Sequence, residues 1–192
     1  MTALHLLRHG RTEANERHLY CGKTDLPLSR AGAEELRSLG TQWLYPPAQA
    51  YFTSGMLRAR ETLEIIYGPV KSTALPGLAE YDFGEFEMHS YDELKERPEY
   101  LAWILDETGD ISCPGGESRS ANRERVLRGF NELLAIPCCR KSYVAVCHGG
   151  TIAVIMEHLF PNERNFYEWQ PAPGRGYTLV LGEDGAHIYH TI

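Results

Sequence analysis

Residues 3–12 read Ala-Leu-His-Leu-Leu-Arg-His-Gly-Arg-Thr. The apolar part is too short for a buried helix and breaks abruptly into a basic, glycine-containing loop, which marks a short buried strand delivering its next residues to a loop. Residues 143–151, Tyr-Val-Ala-Val-Cys-His-Gly-Gly-Thr, repeat the pattern and then open a helical run through residue 159. Strands that end in glycine loops and feed helices are the units of an α/β fold with a largely parallel sheet.

The rest of the chain alternates accordingly. Ser29 predicts the N-cap of a helix with Ala33, Leu36, Gly40, Trp43 and Leu44 on its inner side, stopped before Pro46-Pro47. A strand is expected over residues 50–53, then a helix over 56–67 ended by Gly68-Pro69. Ser90 and Glu93 have the spacing of a capping box for a helix ended by Pro98, with a short helix over 99–105 after it. Residues 106–116 form a loop, and 118–136 carry Val126, Leu127, Phe130, Leu133 and Leu134 at helical spacing. Residues 177–181 and 186–189 predict a terminal hairpin around Glu183-Asp184-Gly185, an antiparallel edge. The expected architecture is a three-layer α/β/α fold with a mostly parallel central sheet and an antiparallel edge, formed as one domain over residues 1–192.

Composition narrows the function. The chain has 19 Lys+Arg against 26 Asp+Glu, a formal charge of −7, so its surface as a whole repels phosphate backbones and no nucleic-acid partner is expected. Any anion site must be local. Apolar runs fall short of the ~20 residues that span a bilayer, and the first residues lack a basic region, a sustained apolar core and a small-residue cleavage site. No membrane partner and a cytoplasmic location are therefore expected, and the five cysteines, Cys21, Cys113, Cys138, Cys139 and Cys147, are expected as free thiols.

Ligands of open α/β sheets bind beyond the carboxyl ends of strands. There the chain places Arg8-His9-Gly10, His148-Gly149-Gly150 and, after a third strand, Arg58. A single His-Gly is commonly only a satisfied polar residue. Two imidazoles and two guanidiniums converging on one point suit a phosphoryl group, because arginine forks match phosphate oxygens and a neutral imidazole nitrogen attacks phosphorus in line. Such chemistry needs no metal and no cofactor. Neighbouring arginines also disfavour an imidazolium, keeping the lone pair available. A leaving alkoxide needs an acid, and Glu80, Asp82, Glu85 and Glu87 stand together in LAEYDFGEFE with nothing in the spacing to choose among them. His187 and His190 fall on opposite faces of a strand and predict no metal site, and no GxxxxGK[ST], HExxH, GxSxG or GxGxxG occurs.

LLRHGRTEAN, YCGKTDLPLSRAG, TSGMLRARET, LAEYDFGEFE, PGGES and VCHGG follow one another in the order and approximate spacing of the histidine phosphatase superfamily, the phosphoglycerate-mutase-like family, which the chain resembles over nearly its whole length. The resemblance implies that His9 becomes phosphohistidine, that Arg8, Asn15 and Arg58 hold the phosphoryl oxygens, that His148 with Gly149 completes the pocket, and that Glu80 is the acid. It also implies substrate contacts at Cys21, Gly22 and Lys23. Two departures stand out: Phe86-Glu87-Met88 replaces a frequent Trp-Glu-Gly, and Arg11 stands where Glu is frequent. Both are expected to alter the substrate pocket, whose rim is expected to include Tyr20, Lys23, Tyr81, Phe83, Phe86 and Arg175. The closest resemblance is to α-ribazole phosphatase-like and broad-specificity phosphatases. It implies a cofactor-independent phosphomonoesterase of the histidine acid type acting on a nucleoside or sugar monophosphate and releasing inorganic phosphate, with the oligomeric state left open. A phosphoglycerate-type mutase and a non-catalytic phosphate-binding protein are the alternatives.

Overall fold

The computed structural model describes residues 1–42, 45–137, 142–182 and 187–192. Six strands form one sheet in the order β3-β2-β4-β1-β5-β6: β1 (Thr2–Arg8), β2 (Ala50–Thr53), β3 (Ser72–Ala74), β4 (Ser142–Cys147), β5 (Gly176–Leu181) and β6 (His187–Thr191). β1, β2 and β3 run parallel to their neighbours through β4, while β5 and β6 are antiparallel. This is the mostly parallel sheet with an antiparallel edge that the sequence predicts. The tip between β5 and β6 falls on residues 183–186, outside the described residues, as do Trp43, Leu44, Cys138 and Cys139.

Strand alternation builds the layers. In β4, Tyr143, Ala145 and Cys147 join Leu4, Leu6, Phe52 and Leu179 on one face, covered by Val126, Phe130 and Leu133 of α6 (Arg119–Ala135) and Ile152, Ile155 and Met156 of α7 (Gly149–Leu159). Val144 and Val146 point the other way, against Leu7 and the Ala59 and Leu63 side chains of α3 (Leu57–Tyr67). Each fully buried aliphatic or aromatic side chain contributes about 1.5–3 kcal/mol. β4, apolar on both faces, therefore anchors the sheet. α2 (Arg30–Gln42) packs against α3 and the loop that leaves β1. A separate aromatic cluster of Tyr81, Phe86, Tyr100 and Trp103 packs beneath the segment that carries Glu80.

Several local expectations need correcting. In α2 only Gly32 and Leu36 are buried, and Gly40 is exposed, with no atom within 4 Å of where its Cβ would stand. Ser90 does form a capping box, for the single-turn α4 (Tyr91–Leu94), but Pro98 opens α5 (Pro98–Ile104) instead of closing the helix before it. A proline at the first helical position sacrifices no hydrogen bond. The one-turn α1 (Glu13–Glu16) and the three-residue, solvent-exposed β3 were not expected, being too short to show a period. No helix among the described residues is long and apolar enough to cross a membrane.

Candidate active site

Because β4 lies between β1 and β2, their carboxyl ends emerge side by side, and the backbone ties the three exits together. The His9 N–H donates to the Cys147 carbonyl at 3.0 Å, and the Ser54 N–H, just after β2, donates to the Val146 carbonyl at 3.2 Å. The His9 and His148 rings meet edge to face with centroids 5.1 Å apart, both buried.

The hydrogen bonds set the tautomer of His9. Its Nδ1 lies 2.6 Å from the Gly10 carbonyl, which can only accept, so Nδ1 carries the proton and Nε2 presents a lone pair. Gly10 is itself fixed by its N–H to Thr62 Oγ1, whose hydroxyl in turn donates to the Arg58 carbonyl. Burial, then the guanidiniums of Arg58 and Arg8, push the His9 pKa down from 6.5 to about 3, outweighing the opposing bond to Gly10. The sequence anticipated the arginines; the larger cause is the lost hydration. His148 is held well below its ordinary value by the same burial and then by His9, Arg58 and Arg8.

His148 Nε2 is 2.8 Å from Ser54 Oγ, while its buried Nδ1 has no partner. Ser54 Oγ accepts the Met56 N–H at 3.4 Å, which favours its own hydrogen going to Nε2 and the ring proton residing on Nδ1 as an unpaired donor. Arg8 anchors Nη1 on the Pro171 carbonyl and leaves Nε buried without a partner. Unsatisfied buried donors are expensive, and two of them at adjacent strand ends are groups that a bound anion would satisfy.

Arg58, 1% exposed in the first turn of α3, donates Nη1 to the Thr24 carbonyl and Nη2 to the Gly22 carbonyl. Those carbonyls are held in turn by Glu87, whose carboxylate accepts the N–H groups of Gly22, Lys23, Thr24 and Phe83 at 3.0–3.2 Å. Glu87 thus orders the Arg58 cradle from the opposite wall. Of the four acids the sequence left open, Glu85 is exposed and Asp82 pairs with Lys23 while accepting the Gly84 N–H. Only Glu80 turns toward the His148 loop, accepting the Gly150 N–H at 3.1 Å and the Tyr81 N–H at 3.0 Å. A Cβ at Gly150 would stand 2.6 Å from Glu80 Oε1, so a larger residue there would push the carboxylate aside.

Beside Glu80 opens a cavity of about 490 Å³, lined among others by Lys23, Asp25, Asp82, Glu117 and Arg125. Cys21 and Gly22 do not line it: the Cys21 thiol faces the Thr24 carbonyl at 3.6 Å and burial pushes its pKa up, and Gly22 serves through its carbonyl. Asn15 caps α1, its Oδ1 accepting the Thr12 N–H and hydroxyl, which leaves the NH₂ end of the amide for other acceptors. Gly149 packs under Arg8, where a Cβ would come within 3.1 Å of Cζ.

The expected aromatic rim does not hold: Tyr81 and Phe86 are buried in the aromatic cluster, with Tyr20 and Phe83 against it. Cys113 is buried there too, 1% exposed. Arg11 turns to Glu35 on α2. Met88 is exposed and sits at φ 61°, a left-handed conformation that favours glycine. Ser54, Glu117 and Arg125 carry no signal in the sequence, because their relation to the site is purely spatial, and Glu87, a candidate acid by sequence, instead holds the loop around Arg58.

A family model described as the histidine phosphatase superfamily (branch 1) matches residues 4–190. The adenosylcobalamin/alpha-ribazole phosphatase of Salmonella typhimurium is 31% identical over 160 residues, spanning 81% of this chain and 78% of that protein. A 2,3-bisphosphoglycerate-dependent phosphoglycerate mutase of Gloeobacter violaceus is 31% identical over 176 residues, 85% of this chain and 79% of that one. In three dimensions the chain is similar to a putative alpha-ribazole-5'-P phosphatase from Escherichia coli. The TM-score is 0.87 at 23% identity over 100% of this chain and 95% of the other, a likeness of fold.

Proposed function

This chain belongs to the histidine phosphatase superfamily, branch 1, and on that premise we propose that residues 1–192 form a phosphomonoesterase working through phosphohistidine. The observation that carries the reading is the His9 lone pair on Nε2, uncharged and buried, beside unpaired donors on Arg8 and His148.

In the first step Nε2 of His9 attacks phosphorus and the bond to the ester oxygen breaks. As the ring becomes cationic, the Nδ1–H bond to the Gly10 carbonyl strengthens and offsets the developing charge. Arg8 Nε, the remaining N–H groups of Arg58, the Asn15 amide and His148 Nδ1–H meet the equatorial oxygens. Glu80, protonated, gives its proton to the departing alkoxide. Water then attacks the phosphohistidine, Glu80 takes up its proton, and inorganic phosphate leaves with His9 restored.

The leaving group would occupy the adjoining cavity. Asp25, Asp82, Glu80 and Glu117 there outnumber Lys23 and Arg125, which favours a neutral, hydroxyl-bearing group such as a nucleoside or sugar over a carboxylate-bearing acid. That chemistry fits the alpha-ribazole phosphatase relatives better than the mutase relatives, whose names specify phosphoglycerate.

The test is acid-labile phosphoprotein and phosphate release from an aryl phosphate and a panel of metabolite monophosphates, with chelator present, in wild type and His9→Ala. Phosphate release that needs His9 and survives chelation supports the phosphatase. Labelling of His9 with isomerised product and little free phosphate would instead support a mutase, and neither signal would leave a phosphate-binding protein.

A further inference from the structure

Arg125 sits mid-way along α6 and lines the leaving-group cavity, yet it keeps no N–H for a ligand. Nη1 donates to the carbonyls of Gly77 at 3.0 Å and Ala79 at 2.9 Å, and Nη2 reaches the Glu80 carbonyl at 3.2 Å, Asn122 Oδ1 at 2.8 Å and Glu117 Oε1. Nε donates to Glu117 Oε2 at 3.2 Å. Five guanidinium hydrogens therefore meet six acceptors.

Glu117 completes the frame from the other side. Its Oε1 accepts the Asp82 N–H at 2.9 Å, its own N–H donates to the Asp82 carbonyl at 3.0 Å, and its carbonyl accepts the Tyr81 hydroxyl at 2.7 Å. The turn at Pro76–Leu78 is docked on the same helix through glycine: a Cβ on Gly77 would stand 2.7 Å from the Gly129 Cα. The backbone before, at and after Glu80 is thus fixed by one partly buried ion pair, while the Glu80 carboxylate itself is held, among the described residues, by the N–H groups of Tyr81 and Gly150.

We infer that Arg125 and Glu117 are positioning residues for the leaving-group acid, acting on the chemical step through Glu80. Three carbonyls and a carboxylate in one plane's reach demand a rigid fork, which a lysine cannot reproduce. The inference rests on Glu80 being the acid.

The experiment compares kcat/KM, which reports the step that forms phosphohistidine, for p-nitrophenyl phosphate and for glycerol phosphate. The variants are Glu80→Gln, Arg125→Met, Arg125→Lys, Glu117→Gln and the double change Glu80→Gln/Arg125→Met, each with its Tm. A phenolate departs without a proton and an alkoxide does not, so loss of the acid lowers only the second, by roughly 100-fold or more. Arg125→Met should lower the glycerol phosphate value about 10- to 100-fold, leave the aryl value within about threefold, and add nothing to Glu80→Gln in the double variant. Arg125→Lys should restore only part of the loss. Equal losses on both substrates in Arg125→Met, or a full further loss in the double variant, would overturn the inference. Should Arg125→Met not fold, Arg125→Lys and Glu117→Gln, which each keep part of the network, decide by the same ratio. Equal losses in Glu80→Gln itself would remove Glu80 as the acid, and the inference with it.

Discussion

The low pKa of His9 makes acid sensitivity a direct readout of the buried site. The perturbation is a fall in pH from about 7 to about 5. In the unfolded chain His9 titrates near 6.5, whereas in the folded protein burial and two guanidiniums hold it at about 3. Between those values the unfolded state binds a proton that the folded state refuses, so stability falls as pH falls through this window. Integrating one such group from pH 7 to 5 gives about 2 kcal/mol. His148, also depressed by burial, adds to the loss in the same direction. Urea unfolding in phosphate-free buffers across that range, on wild type and His9→Gln, reads the His9 share, because burial, the larger cause of the His148 depression, is kept in the variant. The stability of the wild type should drop about 2 kcal/mol more than that of the variant. Parallel profiles would show that His9 is not held uncharged, and would remove the basis for its nucleophilicity. Phosphate in the buffer should shrink the effect, since a bound anion favours protonation nearby.

Two further substitutions test the backbone readings. Met88→Gly should be more stable than Met88→Ala by about 1 kcal/mol in denaturant unfolding, reversing the usual order, because φ at this position is 61°; the ordinary order would contradict the left-handed assignment. Gly150→Ala places a methyl 2.6 Å from Glu80 Oε1, so turnover of alkyl phosphates should fall about 10- to 100-fold with the aryl rate nearly kept. An unchanged alkyl-to-aryl ratio would mean that Glu80 approaches its substrate by another path.

The two Arg/His-Gly loops were legible because a strand end is a local event: a short apolar run, a break and a glycine place a side chain at the sheet's carboxyl edge whatever else the chain does. The Ser90 cap was legible for the same reason, being decided within four residues. The choice of Glu80 over its three acidic neighbours was not in the local pattern; it lies in the Gly150 N–H, 70 residues away. Pocket-rim aromatics were misread because exposure depends on packing, and packing put Tyr81 and Phe86 in a cluster with Tyr100 and Trp103. Gly40 failed likewise, since helical period names a face but not what the fold packs against each turn of it.

The sequence alone therefore determined the alternation of strand and helix, the side chains brought to the strand ends and the chemistry those side chains favour. The tertiary structure decided which hydrogen of His9 is committed, which carboxylate faces the site, that Glu87 holds the loop around Arg58, and that Arg125 with Glu117 holds the loop around Glu80. The physical reason is reach. Periodicity, capping and turn chemistry act over a few residues and leave a local trace, whereas a hydrogen bond from Ser54 to His148 spans 94 residues and exists only once the core has brought β2 and β4 together.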